Sequence, residues 1–194
     1  MTRPNHLLRI YAMKLLIASD IHGSAYWCEQ LLSAFERENA DRLILLGDLL
    51  YHGPRNDFPD EYAPKKVFAM LNAIKDKITA IRGNCDSEVD QMVLDFPCLA
   101  DYALIDDNGR TLFLTHGHLF NTENPPLLKT GDLLLNGHFH TPEYKKLEQG
   151  ANYANCGSVA LPKEGTPHSY LVYENGELIF NDLETGGMFD CVTL

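Results

Sequence analysis

The chain has little of what marks a membrane-spanning, disulfide-linked or polyanion-binding protein. No apolar run approaches the roughly 20 residues that a helix needs to cross a bilayer. Basic residues are scarce, since 16 Lys and Arg face 27 Asp and Glu and leave a formal net charge of −11. Because such a field repels polyanions, a stable complex with DNA or RNA is not expected. The missing apolar run means that no membrane partner is expected either.

The sequence also lacks the cysteine spacing of a disulfide-linked protein and the features of a secretory signal. The five cysteines are odd in number and contain no CxxC pair, which is typical of reduced thiols in a cytoplasmic protein. Residues 1–12 lack the apolar stretch and cleavage site of a signal peptide. Because Met13 directly precedes a strand-like run, we expect translation to start there. Residues 1–12 are then an N-terminal extension outside the fold, and 13–194 form a single domain.

Helical and strand-like patterns alternate in the first half of the chain, and strands dominate the second half. Helices are predicted over residues 25–39, with Ser24 as the N-cap, and from Pro64 onward. Strands are predicted at 14–19, 42–46, 78–82, 102–105, 110–115, 132–135, 143–148, 152–155, 168–173 and 178–182. This order predicts an α/β fold of two packed mixed β-sheets flanked by helices, with a long loop at 49–62 that overhangs the site.

Five short polar clusters each follow a strand-like run. They are Asp20-Ile21-His22, Gly47-Asp48, Gly83-Asn84, His116-Gly117-His118 and Gly137-His138-Phe139-His140. Because α/β folds place their sites at the carboxyl ends of strands, we expect these side chains to converge. A single histidine is more often structural than a ligand, so only the five clusters together indicate a metal site. Carboxylate, amide and imidazole ligands favour Mn, Fe or Zn over Ca.

A pair of divalent ions would explain these residue types. Two ions about 3.5–4 Å apart need a bridging anion, and Asp48 is the candidate. Neutral imidazoles bind without cancelling the charge of the ions. A water held between the ions would lose a proton near neutral pH and attack phosphorus, while the ions stabilise charge on the phosphate oxygens.

The five clusters, from Asp20 to His140, resemble the motif blocks of the calcineurin-like metallophosphoesterase superfamily, and most closely its small bacterial and archaeal phosphodiesterases. One position departs from the pattern, because Thr115 stands where that family has Gly before the histidine. The resemblance implies two divalent ions, with Mn²⁺ expected first and Zn²⁺, Fe²⁺ or Ni²⁺ as alternatives. It assigns Asp20, His22, Asp48 and His140 to one ion, and Asp48, Asn84, His116 and His138 to the other.

Cys85 stands where many members of that family carry a histidine that is taken to protonate the leaving group. A thiol with a pKa of about 8.5 is a poorer proton donor at neutral pH than a histidine of about 6.5. We therefore expect substrates whose leaving group needs little protonation. The alternative is that Cys85 only fills space.

Four further residues near the clusters could contribute to the site. His52 could reach the leaving group, and Arg55 could bind a phosphate oxygen through its planar fork. His118 could line the cleft, and Asp86 could orient a neighbour or cap a turn. For His52 and Arg55, an ordinary surface turn is an equally good interpretation.

The sequence thus predicts a metal-dependent phosphodiesterase acting on a small phosphodiester by attack of a metal-bridging hydroxide. One alternative is a phosphomonoesterase with the same dimetal site. Another is a non-catalytic protein-interaction scaffold of the same fold, against which the complete set of seven ligand positions argues. The apolar segment 188–194 could cover a core edge or meet another subunit, so a homo-oligomer, either a dimer or a tetramer, is also expected.

Overall fold

The computed structural model describes residues 13–194, in which two mixed β-sheets pack face to face. The expected N-terminal extension, residues 1–12, lies outside the described residues. The strands are β1 (Leu15–Ala18), β2 (Arg42–Leu45), β3 (Ile78–Ala80), β4 (Ala103–Asp107), β5 (Arg110–Leu114), β6 (Leu133–Asn136), β7 (Pro142–Lys146), β8 (Asn152–Cys156), β9 (Ser169–Glu174), β10 (Glu177–Asp182) and β11 (Met188–Thr193). The predicted fold class is confirmed.

Three α-helices accompany the strands in the described part of the chain. They are α1 (Ala25–Arg37), α2 (Pro64–Ala73) and the short α3 (Glu88–Gln91), with a 3₁₀ turn at Lys75–Lys77. Ser24 caps α1 as predicted, because its side chain accepts a hydrogen bond from the Trp27 N–H at 3.2 Å. No helix among the described residues is both long enough and apolar enough to span a bilayer.

The first sheet has the order β11-β10-β9-β1-β2-β3, and the second has the order β4-β5-β6-β8-β7. Strands β1, β2 and β3 run parallel, while β9 returns antiparallel to β1. In the second sheet β5, β6 and β8 run parallel. The parallel strands of each sheet therefore end together, so that the segments after them share one edge of the molecule.

Strand β1 shows why the parallel strands are apolar throughout. Leu15 and Ile17 pack against the second sheet, whereas Leu16 and Ala18 pack beneath the helices on the opposite face. All four residues are buried because both faces of the sheet are covered. Burying a side chain of leucine size fully contributes about 1.5–3 kcal/mol, so these central strands hold the polar edge residues in place.

One strand was not predicted. β11 pairs only with β10 at the sheet edge, and five of its six residues are exposed. Its adjacent Met188 and Phe189 break the alternation that marks a half-buried strand, so the sequence pattern carries no strand signal there. The hairpin predicted at Asn108-Gly109 is confirmed, since Asp107 pairs with Arg110 across it.

Candidate metal centre

The five polar clusters lie immediately after β1, β2, β3, β5 and β6, at one shared edge of the two sheets. Contacts between the clusters show that the two sheets contribute jointly. His116 after β5 lies 3.1 Å from Asn84 after β3, measured from Nε2 to Oδ1. The His138 N–H after β6 donates to Asp20 Oδ2 at 2.9 Å. The predicted convergence of these residues is therefore what the fold produces.

A first group of side chains surrounds one oxygen of Asp20. The Oδ1 atom lies 3.1 Å from His140 Nε2 and 3.4 Å from His22 Nε2, and the two Nε2 atoms are 3.4 Å apart. Asp48 Oδ2 lies 3.6 Å from His22 Nε2. All four residues are buried, with exposed fractions of 4% or less. Each of these four side chains thus presents a polar atom to the same small volume.

The histidine tautomers show what these atoms can bind. The Nδ1 atoms of His22, His116 and His140 lie 2.8, 2.7 and 2.6 Å from backbone carbonyl oxygens. A carbonyl oxygen only accepts, so each neutral ring carries its proton on Nδ1 and turns an Nε2 lone pair toward the cluster. Asp20 Oδ1, also an acceptor, is buried without a hydrogen-bond partner. Lone pairs that converge without a proton between them fit a divalent cation.

A second group surrounds His116 on the other side of Asp48. Asp48 Oδ1 lies 3.6 Å from His116 Nε2, and the His138 ring lies 5.0 Å from the His116 ring between centroids. One carboxylate oxygen of Asp48 thus faces each group. This is the position that a carboxylate shared by two ions requires.

Electrostatics within the two groups agree with cation binding. Burial alone would raise the pKa of Asp20, but His116, His140 and His22 together hold it well below its usual range. Burial alone would lower the pKa of His22, but Asp20 and Asp48 outweigh it and raise that pKa. Protonating the histidine and binding a cation are alternative ways of compensating the two buried carboxylates.

His138 behaves differently from the other histidines. Burial and the neighbouring His116 lower its pKa to about 4. The ring is therefore neutral at physiological pH and has a lone pair available for a ligand.

Asp86 holds the ends of β2 and β3 together beneath the site. Its carboxylate accepts hydrogen bonds from the backbone N–H groups of Asp48, Leu49 and Gly83 at 2.7, 2.9 and 2.7 Å. Burial and the charge of Asp48 raise the pKa of Asp86 to about 6, although the three donors oppose the rise. The Cys85 N–H in turn donates to Asp48 Oδ1 at 2.8 Å. Asp86 therefore fixes the backbone that carries Asp48.

A cavity of about 410 Å³ opens above the two groups. Its lining includes the ligand candidates His22, Asp48, Asn84, His138 and His140, together with Gly53, Pro54, Arg55, Asn56, Cys85, Phe139 and Lys163. Arg55 and Cys85 therefore lie where the sequence analysis predicted. Lys163 and Phe139 were missed. No motif marks a lysine in a loop far along the chain, and Phe139 sits between two histidines that carry the recognisable pattern.

Two other candidates lie outside this lining. The His52 ring packs against Phe58 and Tyr62, with centroid distances of 4.5 and 5.2 Å. The His118 ring lies 5.4 Å from that of His116, and its buried Nδ1 has no hydrogen-bond partner. Among the described residues that border the cavity, neither histidine appears. His52 thus lies in an aromatic cluster next to the cavity residue Gly53, and His118 lies beside the ligand candidate His116.

Comparison with known proteins identifies the class. Residues 13–177 match the family described as the calcineurin-like phosphoesterase superfamily domain, and the chain belongs to that superfamily. More particularly, it is 48% identical over 166 residues to the phosphodiesterase YfcE of Escherichia coli strain K12, a match that covers 86% of this chain and 90% of that protein. The resemblance seen in the sequence is confirmed.

Solved structures agree with this assignment. The structure of YfcE, a phosphoesterase from E. coli, matches with a TM-score of 0.90 at 45% identity, covering 93% of this chain and 99% of the other. Vacuolar protein sorting 29 from Cryptosporidium parvum matches with a TM-score of 0.60 at 14% identity, covering 95% and 100%. The second likeness shows a shared fold alone.

Proposed function

We propose that the protein is a metal-dependent phosphodiesterase that hydrolyses a small phosphodiester. The observation that carries the proposal is the position of Asp48, whose two carboxylate oxygens face two separate groups of imidazole nitrogens beneath a cavity. Membership of the phosphoesterase superfamily supports phosphate ester hydrolysis, and the name of the 48% identical relative supports a diester.

The proposed ligands fall into two sets that share Asp48. Asp20, His22, Asp48 and His140 would hold one ion, and Asp48, Asn84, His116 and His138 the other. Two divalent ions bound there would supply Lewis acidity toward the phosphate oxygens and acidify the attacking water. Mn²⁺ is the proposed metal, with Zn²⁺, Fe²⁺ or Ni²⁺ as alternatives, since nitrogen and oxygen donors suit all four.

Other side chains act on the substrate from the cavity wall. The Arg55 guanidinium is proposed to bind a non-bridging phosphate oxygen with its planar fork. Burial and the charge of Asp48 raise the pKa of the Cys85 thiol far above its usual value, so the thiol holds its proton at neutral pH. Such a group is a weak acid toward a leaving group, and an ester with a good leaving group is therefore the preferred substrate. His118, whose ring lies 5.4 Å from that of His116, is proposed to line the cleft, and His52 is proposed to reach the leaving group.

We further propose that the enzyme is a cytoplasmic, single-domain homo-oligomer that acts on a small substrate. The five cysteines are all free, which supports a cytoplasmic protein, and the charge of −11 supports a small substrate over a nucleic acid complex. A homo-oligomer is proposed because β11 leaves Met188 and Phe189 exposed at a sheet edge. The family match over residues 13–177 supports a single domain over residues 13–194.

The test starts from protein freed of metal with a chelator. Mn²⁺, Zn²⁺, Fe²⁺, Ni²⁺ and Mg²⁺ are added back singly, and hydrolysis of bis(4-nitrophenyl) phosphate is compared with that of 4-nitrophenyl phosphate. We expect the diester to be hydrolysed faster, with the highest rate in Mn²⁺. Faster hydrolysis of the monoester would favour a phosphomonoesterase, and no hydrolysis with any of the metals would favour the scaffold.

A further inference from the structure

Lys163 lines the cavity without a role in the proposed reaction. Its backbone is fixed to the site, because its N–H donates to the His140 carbonyl at 3.1 Å and its own carbonyl accepts from Thr166. Within residues 13–194 its exposed ammonium group has no carboxylate at ion-pair distance. In a chain with 27 acidic residues, a lysine left unpaired beside the site is available to an anion from solution.

Phe139 is a second wall residue without an assigned role. Its side chain is 44% exposed although it stands between the ligand candidates His138 and His140. Its ring lies 5.1 Å from that of His138 at 68°, and it borders both the main cavity and a neighbouring one lined by Asn121 and Tyr153. An exposed ring at a cavity edge offers a face on which a planar group can stack.

We propose that Phe139 and Lys163 form a nucleotide subsite, in which a base of the substrate stacks on Phe139 and a second phosphate binds Lys163. The inference rests on the proposed function and narrows its substrate class to phosphodiesters with one nucleotide arm. The scissile diester carries a single negative charge, which the proposed ions and Arg55 already meet. Lys163 therefore has its charge free for another anionic group.

The size of the cavity agrees with this substrate class. At about 410 Å³ it lies near the lower end of the roughly 300–1,000 Å³ typical of small-molecule sites. A mononucleotide arm suits that volume better than an extended polynucleotide, and the negative net charge of the chain disfavours a long polyanion.

Three substrates with the same leaving group separate the two contacts. Methyl 4-nitrophenyl phosphate has neither base nor second charge, thymidine 3′-(4-nitrophenyl phosphate) adds the nucleoside, and its 5′-phosphorylated form adds the second anion. The values of kcat/KM are measured with Mn²⁺-loaded protein for wild type, Lys163→Gln and Phe139→Leu. Lys65→Gln is the matched control, because Lys65 is exposed on α2 and outside the cavity lining.

We expect kcat/KM to rise when the nucleoside is added and again when the 5′-phosphate is added. Phe139→Leu should weaken the first rise, and Lys163→Gln the second. The 5′-phosphate should raise kcat/KM about tenfold in the wild type, and Lys163→Gln should reduce that gain to about threefold or less. Phe139→Leu should reduce the gain from the nucleoside about fivefold, since stacking is lost while an apolar side chain is kept. Lys65→Gln should leave both ratios unchanged.

Equal kcat/KM values for the two thymidine substrates, or a ratio that survives in Lys163→Gln, would overturn the inference while leaving the proposed function intact. If none of the three diesters is hydrolysed, the proposed function is wrong, and calorimetric titration then decides on the subsite. Thymidine 3′,5′-bisphosphate should bind at least about threefold more weakly to Lys163→Gln than to wild type, whereas thymidine 3′-phosphate should bind both alike. Equal binding of the bisphosphate overturns the subsite.

Discussion

Left-handed backbone occurs both in exposed turns and at the candidate metal centre of the described residues, and the two regions use different residue types there. Ten residues other than glycine within 13–194 have positive φ. Five of them, Asn39, Glu61, Asn108, Glu164 and Asn175, are exposed. The other five are the ligand candidates Asp20, His22, Asp48, His138 and His140. Exposed turns mostly use asparagine, whereas the site uses aspartate and histidine, which also adopt this conformation more often than most residues and in addition supply metal-ligand atoms.

The contrast teaches that the site carries a conformational cost that its surroundings must balance. A non-glycine residue in sparsely populated backbone costs on the order of 1–3 kcal/mol and persists only where neighbouring contacts enforce it. Two glycines show the enforcement. A Cβ at Gly83 would lie 2.4 Å from the Asp48 backbone nitrogen, and one at Gly137 would lie 2.1 Å from Ser19 Oγ. The strand ends approach one another too closely for larger residues.

Asp48→Asn, a change at the candidate metal centre, should have the largest effect on activity. The amide keeps the size and backbone of Asp48 but removes the negative charge that both groups of imidazoles face. We expect kcat for bis(4-nitrophenyl) phosphate to fall by about three orders of magnitude, corresponding to several kcal/mol of lost electrostatic stabilisation. Calorimetry should show that one Mn²⁺ binds much more weakly.

Asp76→Asn is the matched control, because Asp76 is exposed in the 3₁₀ turn after α2. It should leave both activity and Mn²⁺ binding unchanged. Wild-type Mn²⁺ stoichiometry and rate in Asp48→Asn would contradict the shared-carboxylate assignment.

Asp86→Ala should have the next largest effect, on stability as well as on the site. Its removal leaves three buried N–H groups without their acceptor, each costing about 1–3 kcal/mol if nothing replaces it. We expect the free energy of unfolding of metal-free protein to fall by about 3 kcal/mol or more in urea titrations. Mn²⁺ affinity should fall about 10- to 100-fold, as for loss of an outer-shell partner.

Asp86→Asn separates the packing contribution from the acceptors. It keeps the shape and one acceptor oxygen, so its loss of stability should be smaller than that of the alanine variant. Equal losses in the two variants would mean that the three hydrogen bonds do not hold the Asp48 backbone in place.

The sequence was informative where local pattern and chemistry coincide. Strand-like patterns identified ten of the eleven described strands, and the polar clusters that follow the parallel strands converge as expected from their shared direction. Left-handed backbone at Asp20 or His140 was not predictable, because Asp and His adopt it more often than most residues but still in a minority of cases, and here tertiary contacts decide. Lys163 and His52 show the same limit. Whether either side chain reaches the cavity depends on loop packing that no local pattern encodes.

Cys85→His tests whether the residue at position 85 in the cavity wall determines which leaving groups the enzyme accepts. A histidine would offer a proton near neutral pH, which the thiol does not. We expect the rate on methyl thymidine 3′-phosphate, relative to thymidine 3′-(4-nitrophenyl phosphate), to rise about tenfold, a modest share of what general acid catalysis can supply. Cys98→Ser is a control at a buried cysteine outside the cavity lining. An unchanged ratio in Cys85→His would favour a space-filling role for the thiol.

Asn175→Gly, a change in an exposed turn, should have the smallest effect on the free energy of unfolding. Asn175 has φ of 52° at the tip of the β9–β10 hairpin. Glycine relieves the residual strain but adds conformational entropy to the unfolded chain, so the two effects nearly cancel. We expect the free energy of unfolding to change by less than about 0.5 kcal/mol, while Asn175→Ala, which has neither advantage, should lose about 1 kcal/mol. Urea titrations of metal-free protein measure both. A gain of about 2 kcal/mol in Asn175→Gly would mean that exposed turns store as much strain as the metal centre, and left-handed backbone would then no longer distinguish the site from the rest of the fold.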